Sequence, residues 1–106
     1  MHAFDERERA EEARFAISEE LRFRALVRRD TQLGLWAAGL LGKSGEAAAI
    51  YARELVNADI APHEDDTVFQ RVRSDLTQAA LRMSDRQIRN QMQDLMEVAL
   101  RQVRTE

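Results

Sequence analysis

The sequence predicts an all-α protein, an up-and-down four-helix bundle over residues 19–106 carrying a mobile, potentially helical N-terminal arm over residues 1–18. Three observations predict it. Ala, Leu, Glu, Arg and Gln abound while β-branched and aromatic residues are sparse, aromatics making up 6% of the chain, and these are the residues that lose least on entering a helix. Apolar residues recur at steps of three and four in four separate segments. The breaks between those segments carry helix-stop and helix-start chemistry rather than hairpin turns. With 106 residues and 44% apolar content, the chain makes one domain with a core of ordinary size.

The first segment, Phe4 to Ala16, reads FDERERAEEARFA. It has helix-forming composition and favourable pairs at Asp5–Arg9, Glu6–Arg9 and Glu11–Arg14, each contributing about 0.2–0.5 kcal/mol. Glu8 and Glu12 repel by a similar amount. Phe4 and Phe15 stand three turns apart on one face, with Glu8 and Glu11 between them, so no apolar stripe holds this segment to a core. The residues alone leave two readings open, a frayed charged terminus and an arm kept for a partner.

Ser18 to Leu41 reads as one long helix. Ser18 is a potential N-cap, although Phe15 and Ile17 also permit a helix running through from the arm. Phe23, Val27 with Leu26, Leu33, Trp36 with Ala37, and Leu40 make its stripe; Arg22, Arg28, Arg29 and Gln32 fill the outer face. The four glycines of the chain, Gly34, Gly39, Gly42 and Gly45, share one window. Gly42 suits the left-handed position after the helix. Gly34 and Gly39 read as places where another helix comes close, which puts the densest packing beside Trp36.

Ser44 is the expected N-cap of a second helix, from about residue 45 to 59, with the stripe Ala47 or Ala48, Tyr51, Leu55 and Ala58, and Ile50 flanking. Pro62 stops it, and Asp65 or Asp66 caps a third helix carrying Val68, Phe69, Val72, Leu76 and Ala79 or Ala80, expected to end near Arg82. The fourth helix opens with a capping box, Ser84 to Gln87, and a hydrophobic staple between Met83 and Ile88. Ile88, Met92, Leu95 or Met96, Ala99 and Val103 continue its stripe to the end of the chain.

Charge and composition exclude several function classes. The net charge is −3, and 15 of the 16 basic residues are Arg. They are interleaved with acids; the cluster Arg22, Arg24, Arg28 and Arg29 has no aromatic companion beyond Phe23. The positive field that dominates nucleic-acid affinity is missing. Cysteine is absent, which removes disulfides and thiolate metal sites. The N-terminus is too charged for a signal peptide, and no apolar run approaches the ~18 residues of a membrane span. A cytoplasmic protein without direct membrane insertion is expected.

No constellation for catalysis stands out, so the chain reads as a non-enzyme with no metal and no cofactor. Gly42-Lys43-Ser44 matches the tail of a P-loop, but Ala37 occupies the first glycine position and a helix precedes it instead of a strand. A turn followed by a cap explains it better, with at most weak anion or nucleotide binding at the helix start. His63, Glu64, Asp65 and Asp66 read as a solvated loop whose acids favour the next helix N-terminus. The methionines read as core filler.

Against these residues the whole chain resembles the ζ-type inhibitor subunit of alphaproteobacterial F-type ATP synthases. The segments FDERERAEEARFA, EELRFRALVRR, LGLWAAGLLGKSG, YARELVNADI, VFQRVRSDL and SDRQIRNQM carry the resemblance nearly end to end. It implies a bundle with a mobile inhibitory arm that inserts at a catalytic α/β interface near the γ shaft and blocks rotation in the hydrolysing direction. It also implies association with the cytoplasmic face of the bacterial inner membrane through the synthase, whose α, β and γ subunits are the partners, and a monomer when free. The positions matching the inhibitory pattern are Phe4, Asp5, Arg7, Glu8, Glu12, Phe15 and Ala16, with Arg9 and Arg14 among them placed to pair with acids of the partner. Ile17-Ser18 and Ala47 depart from the family pattern. The runner-up function is a cytoplasmic helical adaptor or nucleotide sensor with its ligand at the Gly42–Gly45 turn.

Overall fold

The computed structural model describes residues 18–58 and 65–106. They form four helices: α1 (Glu19–Leu40), α2 (Gly45–Ala58), α3 (Asp65–Gln78) and α4 (Asp85–Arg104). The connections are short, and cross-helix pairs fix the directions. Tyr51 reaches Asp75 and Glu54 reaches Arg71, so α2 and α3 run antiparallel. Arg73 meets Asp85 while Asp66 meets Arg89, which sets α3 against α4. Arg28 of α1 pairs with Glu106, just beyond the end of α4. This is the up-and-down bundle that the stripes predict.

The caps explain where each helix begins and ends. Ser18 is extended (φ −64°, ψ 156°), and its Oγ accepts the Leu21 N–H at 3.1 Å. The helix therefore starts at Glu19 with an N-cap. At the far end Gly42 takes φ +79°, Lys43 N–H donates to Ala38 O at 2.8 Å, and Gly42 N–H donates to Gly39 O at 3.1 Å. Those two bonds are a Schellman motif, which needs the left-handed residue that glycine supplies. At the start of α4 both halves of the capping box form, at 2.9 and 3.1 Å, with Ile88 fully buried and Met83 packed against the same core.

One expected cap does not form and one expected boundary shifts. Helix α2 opens at Gly45 (φ +55°) as expected, with Ser44 O accepting the Ala48 N–H at 3.4 Å, but the Ser44 hydroxyl caps no first-turn amide. Helix α3 stops at Gln78 instead of near Arg82. Ala80 adopts φ 60°, with Leu81 N–H donating to Leu76 O at 2.9 Å and Ala80 N–H to Thr77 O at 3.0 Å. This is a second Schellman motif built on alanine, and without a glycine the sequence does not announce it. An L-residue in the left-handed region costs about 1–2 kcal/mol. Ala80→Gly is accordingly expected to stabilise the fold by about 0.5–1 kcal/mol after the added entropy of the unfolded chain, read as a higher midpoint in thermal or urea unfolding.

The core has two parts because the helices are unequal. Helices α1 and α4 have 22 and 20 residues; α2 and α3 have 14 each. Where all four overlap, Leu33, Leu55, Val68, Val72, Leu76 and Ile88 close a main core. Beyond the ends of α2 and α3, the first half of α1 lies against the last half of α4. Ala25, Ala99 and Val103 form a smaller cluster there, joined by Leu21, Met96 and Leu100.

The glycines divide. A Cβ on Gly34 would lie 2.6 Å from the Cα of Ala52, so α1 and α2 touch backbone to backbone and any side chain would push them apart. Gly39 faces open space, with nothing within 4 Å of a Cβ placed there, and brings no helix close. Trp36 is half-buried beside the main core, while Leu33, Ala37 and Ala38 are fully buried. Of the two helical glycines, Gly34 on Ala52 marks the close approach, where two small residues meet.

Three other assignments on α1 are corrected. Phe23 and Leu40 are exposed; Phe23 lies past the level at which α2 ends, whereas Leu40 is the last residue of α1. Arg29, expected on the outer face, is 2% exposed. It falls four residues after Ala25 and four before Leu33, on the row that faces the core. Its Nε donates to Asp30 Oδ1 at 2.8 Å, and Asp30 is equally buried. Sequence neighbours on a helix diverge by about 100°, so Arg29 must curl back to make this bond.

Candidate functional site

The arm residues that the sequence singles out, Phe4, Asp5, Arg7, Glu8, Arg9, Glu12, Arg14, Phe15 and Ala16, lie outside the described residues, as do His63 and Glu64. The structure does define their point of attachment. Ser18 is the last residue before α1, and its extended backbone ends the helix there rather than letting it run on. Glu19 and Glu20 follow in the first turn, where acids favour the positive end of the helix dipole. The arm is thus joined to a capped helix end.

The first half of α1 presents a mixed surface around that point. Phe23 is 47% exposed; Leu26 and Val27 are half-buried. These three share the face that, seven to eleven residues further on, meets Ala52 of α2 at Gly34. Arg22 and Arg24 lie on either side of the strip and are exposed, and Arg28 beside it is held by Glu106.

The other candidate region is the turn at Gly42-Lys43-Ser44. The Schellman bonds turn the amides of Gly42 and Lys43 back into α1, so neither is available to hold a phosphate. Lys43 borders a shallow depression shared with Tyr51, Glu54, Arg71 and Asp75. Its polar groups serve one another. Tyr51 Oη donates to Asp75 Oδ2 at 2.7 Å, Arg71 Nε donates to the same oxygen at 2.7 Å, and Arg71 Nη2 donates to Glu54 Oε2 at 2.9 Å. The Arg71 guanidinium also lies over the Tyr51 ring, 5.4 Å from its centre. Burial, and then the bond to Asp75, push the Tyr51 phenol well above its ordinary range, while the bonds to Asp75 and Glu54 raise Arg71. Both groups keep one protonation state, and the cluster works as a brace between α2 and α3. Two carboxylates facing the depression oppose a nucleotide, so the geometry lends that reading no support.

Asp66 accepts from Arg89, whose guanidinium stacks 3.8 Å from the centre of the Phe69 ring. It is engaged in joining α3 to α4. Among the described residues, no group of three or more His, Asp or Glu is placed to hold a metal ion, and no helix is long and apolar enough to cross a membrane.

The chain matches the family described as ATPase inhibitor subunit zeta over residues 1–102, a span taking in the arm and nearly all of the bundle. It belongs to that family. Membership brings the coarse role, inhibition of the ATP synthase. It also joins the two halves of the molecule, because the matched span begins before the arm and runs through α4 almost to its end. No curated protein matches the chain. The feature that sequence reasoning missed in this region is the buried Arg29–Asp30 pair. The four-residue spacing from Ala25 through Arg29 to Leu33 is the signal that marks it.

Proposed function

We propose that this subunit blocks ATP hydrolysis by inserting residues 4–16 as a helix at a catalytic α/β interface of the F-type ATP synthase, close to the γ shaft. The bundle serves as the handle that carries the arm. Phe4 and Phe15 enter apolar pockets at the two ends of the inserted helix, and Asp5, Arg7, Glu8, Arg9, Glu12 and Arg14 pair with charges lining the cleft, beside Ala16. Rotation in the hydrolysing direction then drives the catalytic subunits against the wedge. The synthase holds the subunit on the cytoplasmic side of the membrane.

The observation that carries this reading is a match to an inhibitor family beginning at residue 1, ahead of a bundle whose α1 is capped at Ser18. The described helices bury their apolar rows against one another, with Leu33, Leu55, Val68, Val72 and Ile88 all at 0% exposure. Such a body holds its shape while the arm acts elsewhere. Ordering the arm on its target consumes about 2–5 kcal/mol of the gross interaction, so the charges alone give weak binding. Deleting residues 1–16 is expected to abolish inhibition of ATP hydrolysis while leaving the helical circular-dichroism spectrum of the bundle intact. A truncated, folded chain that still inhibited the synthase would overturn the proposal.

A further inference from the structure

We propose that the uncharged outer face of α1, made by Gln32, Leu35, Trp36, Gly39 and Leu40, is a second contact of this subunit with the ATP synthase, taken by an apolar ridge of the synthase that packs close to the α1 backbone at Gly39. The proposal rests on the chain acting on the synthase, and adds a contact by the bundle to the one proposed for residues 4–16.

The face is set apart first by its charge. From Thr31 to Gly42 the chain runs 12 residues without a charged side chain, and its other uncharged runs stop at six. Charged residues make up 33% of the chain, and the outer faces of the other helices carry them. Glu46 and Arg53 on α2, Arg73 on α3, and Asp94 and Glu97 on α4 are all exposed. On α1 the inward row, Leu33, Gly34, Ala37 and Ala38, is buried in the bundle, and the outward row is scarcely more polar. Gln32, Leu35, Gly39 and Leu40 are exposed, Leu35 at 38% and Leu40 at 39%, with Trp36 half-buried beside them. Steps of three and four join these residues into one patch. A helix that is apolar all round is normally buried all round, and α1 takes that character from Thr31 onward.

Gly39 is the second observation. Glycine inside a helix weakens it relative to alanine, so a need of backbone or of space keeps it there. The backbone supplies none, since the left-handed glycines are Gly42 and Gly45. Among the described residues space supplies none either. A Cβ placed on Gly39 meets nothing within 4 Å, whereas one on Gly34 meets the Cα of Ala52 at 2.6 Å. Gly34 shows what such a residue does in this helix: it lets a second backbone lie against α1. Gly39 offers the same notch on the outer side, with Leu35 one turn before it.

Size and charge select the occupant. The patch falls well short of the roughly 20–30 residues on each side that a free-standing complex uses, so it is too small to hold a second copy of the chain. A partner that the chain already engages elsewhere needs far less, because a tethered contact forms at an effective concentration of about millimolar order. The family gives that partner as the synthase. Leu35 and Ser18 stand about 25 Å apart along α1 at 1.5 Å per residue, so the patch and the attachment of the arm share one helix. A charge on the opposing ridge would be buried here without a counter-charge, which makes the ridge uncharged as well.

Each full-length variant is titrated against purified synthase and read as the half-inhibitory concentration for ATP hydrolysis. Leu35→Glu and Gly39→Leu are expected to raise it about tenfold, and Ala47→Glu, exposed on α2, less than about twofold. Gly39→Ala separates contact from stability: it is expected to raise the urea midpoint of the free chain and yet to weaken inhibition about threefold. Leu35 and Gly39 variants that inhibit like the parent chain overturn the proposal. So does a change in the amides of residues 32–40 of the free chain on deleting residues 1–16, since the face is then covered from within. A free chain whose mass doubles with concentration, unless Leu35→Glu is present, assigns the face to a second copy and overturns it too. The arm is judged separately. Inhibition lost on deleting residues 1–16 but unaltered in the Leu35 and Gly39 variants keeps the arm and removes the face. Inhibition that survives the deletion and is weakened by Leu35→Glu does the reverse.

Discussion

Phe15→Ala in the full-length chain is expected to weaken inhibition of ATP hydrolysis by about 30-fold to several hundred-fold, and Phe4→Ala by a comparable factor. The argument is one of scarcity. Between Phe4 and Phe15 the arm offers only Ala10 and Ala13 as apolar contacts, and the rest is charge. Charged pairs at a solvated rim contribute little, whereas an aromatic anchor in a desolvated pocket commonly accounts for 2–4 kcal/mol of binding. Two anchors must therefore supply most of the surplus over the ordering cost of the helix. Titrating each variant against the synthase and reading the half-inhibitory concentration checks this. The neighbouring substitution Glu11→Gln, on the same arm but outside the matched pattern, is expected to shift that value by less than about threefold. If the two Phe variants inhibited as well as the parent chain, the wedge would have to be held by its charges, and the anchoring scheme would fall.

Asp30→Ala carries the largest expected effect on stability. Asp30 and Arg29 are 1% and 2% exposed and are bonded at 2.8 Å. Removing the carboxylate takes from the buried Arg29 guanidinium a charge that it is bonded to at 2.8 Å. Breaking a buried pair in this way costs about 3–5 kcal/mol, a large share of the 5–15 kcal/mol that holds a small domain together. Urea unfolding is expected to show a midpoint lowered accordingly, with partial unfolding at room temperature. The double change Arg29→Met with Asp30→Leu removes both charges and fills the space, and is expected to recover most of the loss. A double variant no better than Asp30→Ala would mean that the pair holds something besides itself in place.

The bundle was legible in the sequence where side-chain chemistry and position agree. Ile88, Met92, Ala99 and Val103 recur on one face of α4, and Ser84 and Gln87 announce its start; all are found as expected. Gly42 likewise declares the end of α1. The misses share a cause, a residue type that conceals its position. Arg29 reads as surface because it is charged, though its spacing from Ala25 and Leu33 places it inside. Ala80 hides a left-handed turn that only the backbone reveals. Gly39 resembles Gly34 in the sequence, yet only Gly34 faces another helix. For the segment proposed to carry the function, the spacing of Phe4 and Phe15 set it apart from the core stripes, while its proposed target came from likeness to a family. Packing rules describe how a chain satisfies itself, and these residues lack the apolar stripe those rules act on.

The mismatch in helix length also gives the fold two levels of cooperativity. The end where four helices overlap holds Leu33, Leu55, Val68, Val72, Leu76 and Ile88; the end beside the arm holds Ala25, Ala99 and Val103 between two helices. Alanine buries little surface, so the second end opens at a lower free energy than the first, without the whole domain unfolding. Native-state hydrogen exchange is expected to show amides of residues 22–26 and 99–103 exchanging through this partial opening, and those of residues 33–38 and 51–55 only near global unfolding. The end of the bundle that adjoins Ser18 is therefore a yielding joint mounted on a stiff block, and it gives before the block itself does.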